Sequence, residues 1–230
     1  MDEGIIHEQE LWNISIYSIV MPQYDSIKDK CIEHIKTVDL DKPNIPKGKE
    51  HINGIGPSPQ RHKKNLQESW SNLFDNTDSE EFNRVVDFCN SVTLNVAKKV
   101  NHNYIDTSQW VIRIIESWSH ITTNGGYHDY HDHPYCSWCG IFYIDAGETD
   151  AENTNGNNRF YTPIKTPPEI GLEFISHTFH DPVVQNGKLI IFPSILAHSA
   201  MPYFGDKDRI VIAFNAEIAD GRDVGQPQNI

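Results

Sequence analysis

The sequence lacks the features that would place a chain in a membrane, outside the cell or on nucleic acid. No run reaches the roughly 18 consecutive apolar residues of a membrane-crossing helix. The opening MDEGIIHEQE is acidic where a secretory leader carries basic residues before an apolar stretch. Cysteine is scarce, with four in 230 residues (Cys31, Cys89, Cys136 and Cys139). With no leader, the expected setting is a reducing cytoplasm in which free cysteines pack as small hydrophobes. Lys and Arg number 19 against 32 Asp and Glu, a net charge of -13. Such a chain repels nucleic-acid backbones and anionic membranes. The short basic run Arg61, His62, Lys63, Lys64 is expected to be a solvated loop. Internal repeats and low-complexity tracts are also missing.

What remains is the composition of a globular domain, 38% hydrophobic and 10% aromatic, at a length that suits a single unit. A strand-like run, Leu11 to Val20, precedes a helix marked by Ile27, Cys31, Ile32, Ile35 and Val38. Residues 39–78 read as a long loop, rich in Pro and Gly. A second helix is expected over 79–100, opened by Ser79, with Phe82, Val85, Val86, Cys89, Val92, Val96 and Val100 as its apolar stripe. From residue 109 onward the pattern changes to short apolar runs at 110–118, 138–145, 158–162, 170–175, 188–192 and 209–216, separated by turn residues. Such a series points to a sandwich or barrel. The fold class is mainly β with supporting α-helices. Residues 1–109 form the helical and loop support, and 110–218 the β core, of one domain spanning 1–230.

The densest chemistry lies in Tyr127-His128-Asp129-Tyr130-His131-Asp132-His133-Pro134. Alternate residues of a strand share a face, so His131 and His133 can hold one ion together. Asp129 falls on their side, while His128, Tyr130 and Asp132 face away. Far downstream, His198 follows the apolar strand Leu189–Phe192 after a short turn. Three imidazoles from two strands make a facial set that leaves the opposite side open, which suits non-haem iron. Spacing alone does not name the metal. Cys136 and Cys139 form a C-x-x-C beside these histidines. Core packing is the expected fate of Cys139, with a mixed Cys/His zinc site as the runner-up for this segment.

Two stretches carry a resemblance. One is Trp118…Asn124-Gly125-Gly126-Tyr127…His131-Asp132-His133-Pro134…Cys139-Gly140-Ile141-Phe142-Tyr143. The other is Gly187-Lys188-Leu189-Ile190-Ile191-Phe192-Pro193-Ser194…His198…Pro202…Asp208-Arg209-Ile210-Val211-Ile212-Ala213-Phe214-Asn215. Together they resemble a 2-oxoglutarate/iron(II)-dependent oxygenase family close to the prolyl-4-hydroxylases, of a type common in marine bacteria and their phages. The resemblance implies a double-stranded β-helix, or jelly roll, and a hydroxylase-like enzyme that releases succinate and CO2. It implies iron(II) at His131, His133 and His198. Arg209 would grip the far carboxylate of 2-oxoglutarate, with Tyr143 hydrogen-bonded to the same group. A guanidinium fork pairs well with a carboxylate, and in an apolar strand it is costly without an anionic partner.

Two departures stand out. His133 occupies a position where many relatives carry Asp or Glu. Val211 stands where many carry Ser or Thr. Trp118, Trp138 and Phe142 are candidate pocket walls. The substrate class left open is a small molecule or a peptide. Two other readings are a three-histidine cupin-type dioxygenase that does without 2-oxoglutarate, and a non-enzymatic jelly-roll module holding a structural metal.

Overall fold

The computed structural model describes residues 14–37, 63–69, 72–75, 78–163 and 178–222. The run expected at 170–175, and most of the 39–78 stretch, lie outside them. Within the described residues there are nine strands: β1 (Tyr17–Val20), β2 (Lys63–Glu68), β3 (Trp110–His131), β4 (Trp138–Asp145), β5 (Asn158–Tyr161), β6 (Phe179–His180), β7 (Lys188–Pro193), β8 (His198–Tyr203) and β9 (Arg209–Asp220). Two helices support them, α1 (Lys28–Thr37) and α2 (Glu80–Asn101). No helix among the described residues is long and apolar enough to cross a membrane.

The strands form one antiparallel sheet in the order β1-β7-β4-β9-β3-β8-β5-β6, with β2 added on β3. Strand β3 makes this sheet curl. It pairs with β9 from Trp110 to Thr122, and then with β8 from Gly126 to His131. One strand thereby belongs to both halves of a rolled sheet, and the roll is the jelly-roll architecture. The break falls at Asn124-Gly125-Gly126, where Gly125 adopts φ 76°, a left-handed conformation that glycine takes without penalty.

The central strands are apolar on both faces because each face meets a different core. Trp138, Phe142 and Ile144 of β4, Leu189 and Ile191 of β7, and Ile210, Ile212 and Phe214 of β9 pack against the helices. Their neighbours Cys139, Ile141, Tyr143, Ile190, Phe192 and Val211 fill the inside of the roll. Trp138 and Phe142 therefore do not line the pocket, contrary to expectation, since the strand period turns them to the helix side. Gly140 sits where the sheet is tightest. A Cβ there would lie 2.1 Å from the Phe214 ring of the paired strand.

Helix α2 begins as its sequence indicates. The Ser79 hydroxyl accepts a hydrogen bond from the Phe82 amide at 3.2 Å, and Glu80 and Glu81 occupy its first turn. Phe82, Val85, Val86 and Cys89 are buried, and Val92, Val96 and Val100 pack beside them. Strand β2 corrects the expected loop. Its sequence, KKNLQE, is polar and carries no strand signal. It forms because β3 offers a row of backbone partners from His120 to His128.

Candidate active site

Three imidazoles meet inside the roll. His131 closes β3, His133 follows two residues beyond, and His198 opens β8 directly across from His131. Their ligand-capable nitrogens lie within 4.8 Å of one another, and they are the only such group found among the described residues. His131 Nδ1 is 2.7 Å from the Asp129 carbonyl, and His198 Nδ1 is 3.2 Å from the Leu196 carbonyl. With Nδ1 of each ring committed to a backbone acceptor, the Nε2 lone pair is left for the shared centre. Burial, reinforced by the neighbouring imidazoles, pushes His133 down to about 3 and His198 well below the usual histidine range. These two rings are thus held neutral, the form that binds metal. Three imidazole nitrogens on one side of a point fit a divalent first-row metal with an open face.

One neighbour differs from the sequence expectation. His128 does not face away: its ring stacks on that of His131 at 4.1 Å and lines the same pocket. The cause is the pair of register shifts in β3 on either side of His128, which break strict alternation. Asp129 supplies its backbone carbonyl to His131 and lies outside the three-histidine group.

Arg209 is 1% exposed at the start of β9, on the face turned into the roll. Its Nη2 donates to Asn158 Oδ1 at 2.7 Å, and its Nε has no hydrogen-bond partner. No ion pair reaches Arg209 among the described residues. Tyr143 Oη donates to the same Asn158 oxygen at 2.5 Å. Two donors from different strands therefore converge on one oxygen. A buried cation with an unpaired N–H and no carboxylate beside it fits an anionic ligand. The pocket that contains the three histidines and Arg209 is completed by Trp118, His120, Ile141, Asn158, Val211 and Ala213.

Sequence reasoning missed Asn158, His120 and Glu68. Asn158 ends an Asn-rich run that reads as a turn. His120 Nε2 lies 2.7 Å from Glu68 Oε2 and 2.9 Å from Trp118 Nε1, with His120 and Glu68 both buried. A polar residue on the inward face of β3, two positions from Trp118, was the available signal. Glu68 had none, because β2 itself carries no pattern.

Residues 116–215 match the family described as "Putative 2OG-Fe(II) oxygenase". Over these residues, just under half of the chain, the sequence is similar to the 2-oxoglutarate/iron(II)-dependent oxygenases. No curated protein matches the chain as a relative. Among solved structures, the fold is similar to a Pseudomonas putida prolyl-4-hydroxylase, with TM-score 0.55 and 11% identity over 89% of this chain and 93% of that one. It is similar to a Trichoplax adhaerens prolyl hydroxylase in complex with a hypoxia inducible factor peptide fragment, with TM-score 0.55 and 9% identity over 92% and 87%. It is also similar to HygX from Streptomyces hygroscopicus, with nickel, 2-oxoglutarate and hygromycin B bound, with TM-score 0.52 and 13% identity over 89% and 83%. At these identities the likeness speaks for the fold, and the family match points to an oxygenase. The cofactors of that family are iron(II) and 2-oxoglutarate.

Proposed function

We propose that this oxygenase holds its iron(II) through His131, His133 and His198, binds the far carboxylate of 2-oxoglutarate with Arg209 and Tyr143, and hydroxylates a peptide or small molecule. The observation that carries the reading is the joint presence, in one pocket, of three convergent imidazoles and a buried guanidinium whose Nε lacks a partner. Iron(II) and 2-oxoglutarate, when bound, supply an oxidation of a substrate C–H bond with succinate and CO2 as coproducts.

The chain's own part is binding, orientation and exclusion of water. Arg209 offers a fork of N–H donors from a rigid strand, and Tyr143 adds a hydroxyl from the next one. Asn158 Oδ1 takes the acceptor position that a carboxylate oxygen would take, so cosubstrate entry displaces this amide from both donors. Ile141, Val211 and Ala213 keep the floor apolar, which strengthens charge pairing inside. Val211 offers no hydroxyl to the carboxylate, and Tyr143 supplies one from the neighbouring strand instead.

The substrate classes follow the neighbours, one of which has a peptide fragment and another hygromycin B. A net charge of -13 disfavours polyanions. We read residues 1–230 as one oxygenase domain, with 1–109 supporting the 110–218 core. Its four free cysteines suit a reducing cytoplasm. The test is succinate formation from 2-oxoglutarate with and without iron(II). Iron-dependent succinate that disappears in His198→Ala supports the reading. Turnover unaffected by that change overturns the ligand set.

A further inference from the structure

The C-x-x-C of the β3–β4 connection is left unused by the chemistry above. Cys136 Sγ and Cys139 Sγ lie 3.6 Å apart, in van der Waals contact with each other. Each sulfur also has an oxygen acceptor within reach: Cys136 Sγ lies 3.5 Å from the His133 carbonyl, and Cys139 Sγ 3.4 Å from Asn215 Oδ1. The two sulfurs are themselves within S–H···S hydrogen-bonding distance, so no atom separates them. Cys136 is partly exposed, whereas Cys139 is buried in the inner core. This asymmetry separates an entry thiol from a resolving thiol. The remaining pair, Cys31 and Cys89, is buried in the helix-side core. A zinc site is not assembled here. The group of metal-capable side chains found among the described residues contains the three histidines and neither sulfur.

We propose that Cys136 and Cys139 form a dithiol modification site that small disulfides of the glutathione-disulfide class oxidise to an intrachain disulfide. Cys136, as thiolate, attacks one sulfur of the oxidant, forming a mixed disulfide and releasing one thiolate. Cys139 then attacks Cys136 Sγ and releases the second. Two electrons pass from the cysteine pair to the oxidant, and the two cysteine protons end on the released thiols.

Bond formation draws the sulfurs from 3.6 Å to about 2 Å. Cys139 is fixed in β4 between Phe192 and Asn215, so Cys136 makes most of that movement. The Cys136 thiol contacts the His133 carbonyl, and the Cys136 carbonyl accepts from Ser194 Oγ at 2.6 Å. The His133 amide in turn donates to the Ser194 carbonyl at 3.3 Å. Oxidation thus shifts the backbone that carries His133. This second consequence rests on His133 being a metal ligand, as proposed above, whereas the disulfide itself does not.

The test uses the full chain, metal-free, incubated with glutathione disulfide. Free thiols, intact mass and peptide maps are read before and after. The expected wild-type result is a fall from four free thiols to two, loss of two hydrogens in mass, and a linked 136–139 peptide. Cys139→Ser is expected to accumulate a glutathione adduct at Cys136, and Cys136→Ser to stay unmodified. Four persistent thiols, a lasting adduct in the wild type, or zinc that copurifies and is lost with either cysteine would overturn the site. Cobalt(II) affinity is then compared between the reduced and oxidised wild type, with Cys136→Ser as control. A loss of about tenfold or more on oxidation is expected, the scale on which groups behind a ligand act. Equal affinity with the disulfide in place would overturn the coupling to His133 and leave the dithiol standing.

Discussion

Asn158 Oδ1 stands between Tyr143 Oη at 2.5 Å and Arg209 Nη2 at 2.7 Å, so a neutral amide oxygen holds the two donors that face the inside of the roll. The arrangement resembles a carboxylate site closed by a substitute. Asn158→Asp is expected to place a permanent carboxylate there. It should raise the melting temperature of the metal-free protein and weaken 2-oxoglutarate binding by about tenfold or more, given the strength of buried charge-assisted hydrogen bonds. Calorimetric titration and thermal unfolding measure the two effects. Unchanged 2-oxoglutarate affinity would separate Asn158 from the cosubstrate site.

Arg209 itself gives the complementary result. Arg209→Ala removes the buried fork and should weaken 2-oxoglutarate binding by about ten- to hundredfold, with cobalt(II) affinity largely retained. Arg209→Lys keeps the charge without the planar pair of donors, and should fall between the two. Titration of cobalt-loaded protein with 2-oxoglutarate checks the order. A variant that loses metal and cosubstrate together would indicate collapse of the pocket rather than loss of one anchor.

The departure at His133 can be examined by restoring a carboxylate. His133→Asp should keep iron(II) binding, because an oxygen donor from the same turn suits the open-faced site. His133→Ala should lose most of it. Metal saturation stabilises the folded chain by about 2.7 kcal/mol at a hundredfold excess over Kd. The metal-induced shift in melting temperature therefore reports each variant, with a clear shift for Asp and little for Ala.

Part of the candidate site is legible in the sequence, for reasons that can be named. His131 and His133 stand out by their alternate spacing in an extended segment and His198 by following an apolar strand, whereas the joint ligand set and the role of Arg209 rest on the family resemblance, with the need of a buried guanidinium for an anionic partner in support. The helix 79–100 is legible through its cap and stripe. Strand β2 is not, since KKNLQE owes its form to the backbone of β3. The inward turn of His128 is also hidden, because register shifts are set by pairing between strands rather than by the segment's own pattern. Trp138 and Phe142 pass for pocket walls in the sequence, because a strand buried on both faces gives no hint of which face meets the helices.

Glu68 and His120 tie the unanticipated strand to the pocket wall through a 2.7 Å contact between buried groups. Glu68→Ala leaves the imidazole without that partner and should cost about 1–3 kcal/mol. Denaturant unfolding measures the loss. A change within experimental scatter would show that β2 contributes nothing to the wall through this pair.

Gly140 is a packing constraint in its own right. Gly140→Ala drives a methyl into the Phe214 ring and should destabilise the chain by about 1–3 kcal/mol, as overpacking does. Adding Phe214→Leu makes room and should recover part of the loss. Chemical denaturation of the single and double variants decides the matter, and full stability of Gly140→Ala alone would argue against this close approach.

The most direct measurement is an anaerobic absorption titration with iron(II) and 2-oxoglutarate, following the visible charge-transfer band of their ternary complex with the protein. The expected outcome is saturation at one iron per chain in the wild type, no band in His198→Ala, and a band reached only at much higher 2-oxoglutarate in Arg209→Ala. An unaltered band, with unaltered midpoints, in His198→Ala would contradict a metal shared by the ends of β3 and β8.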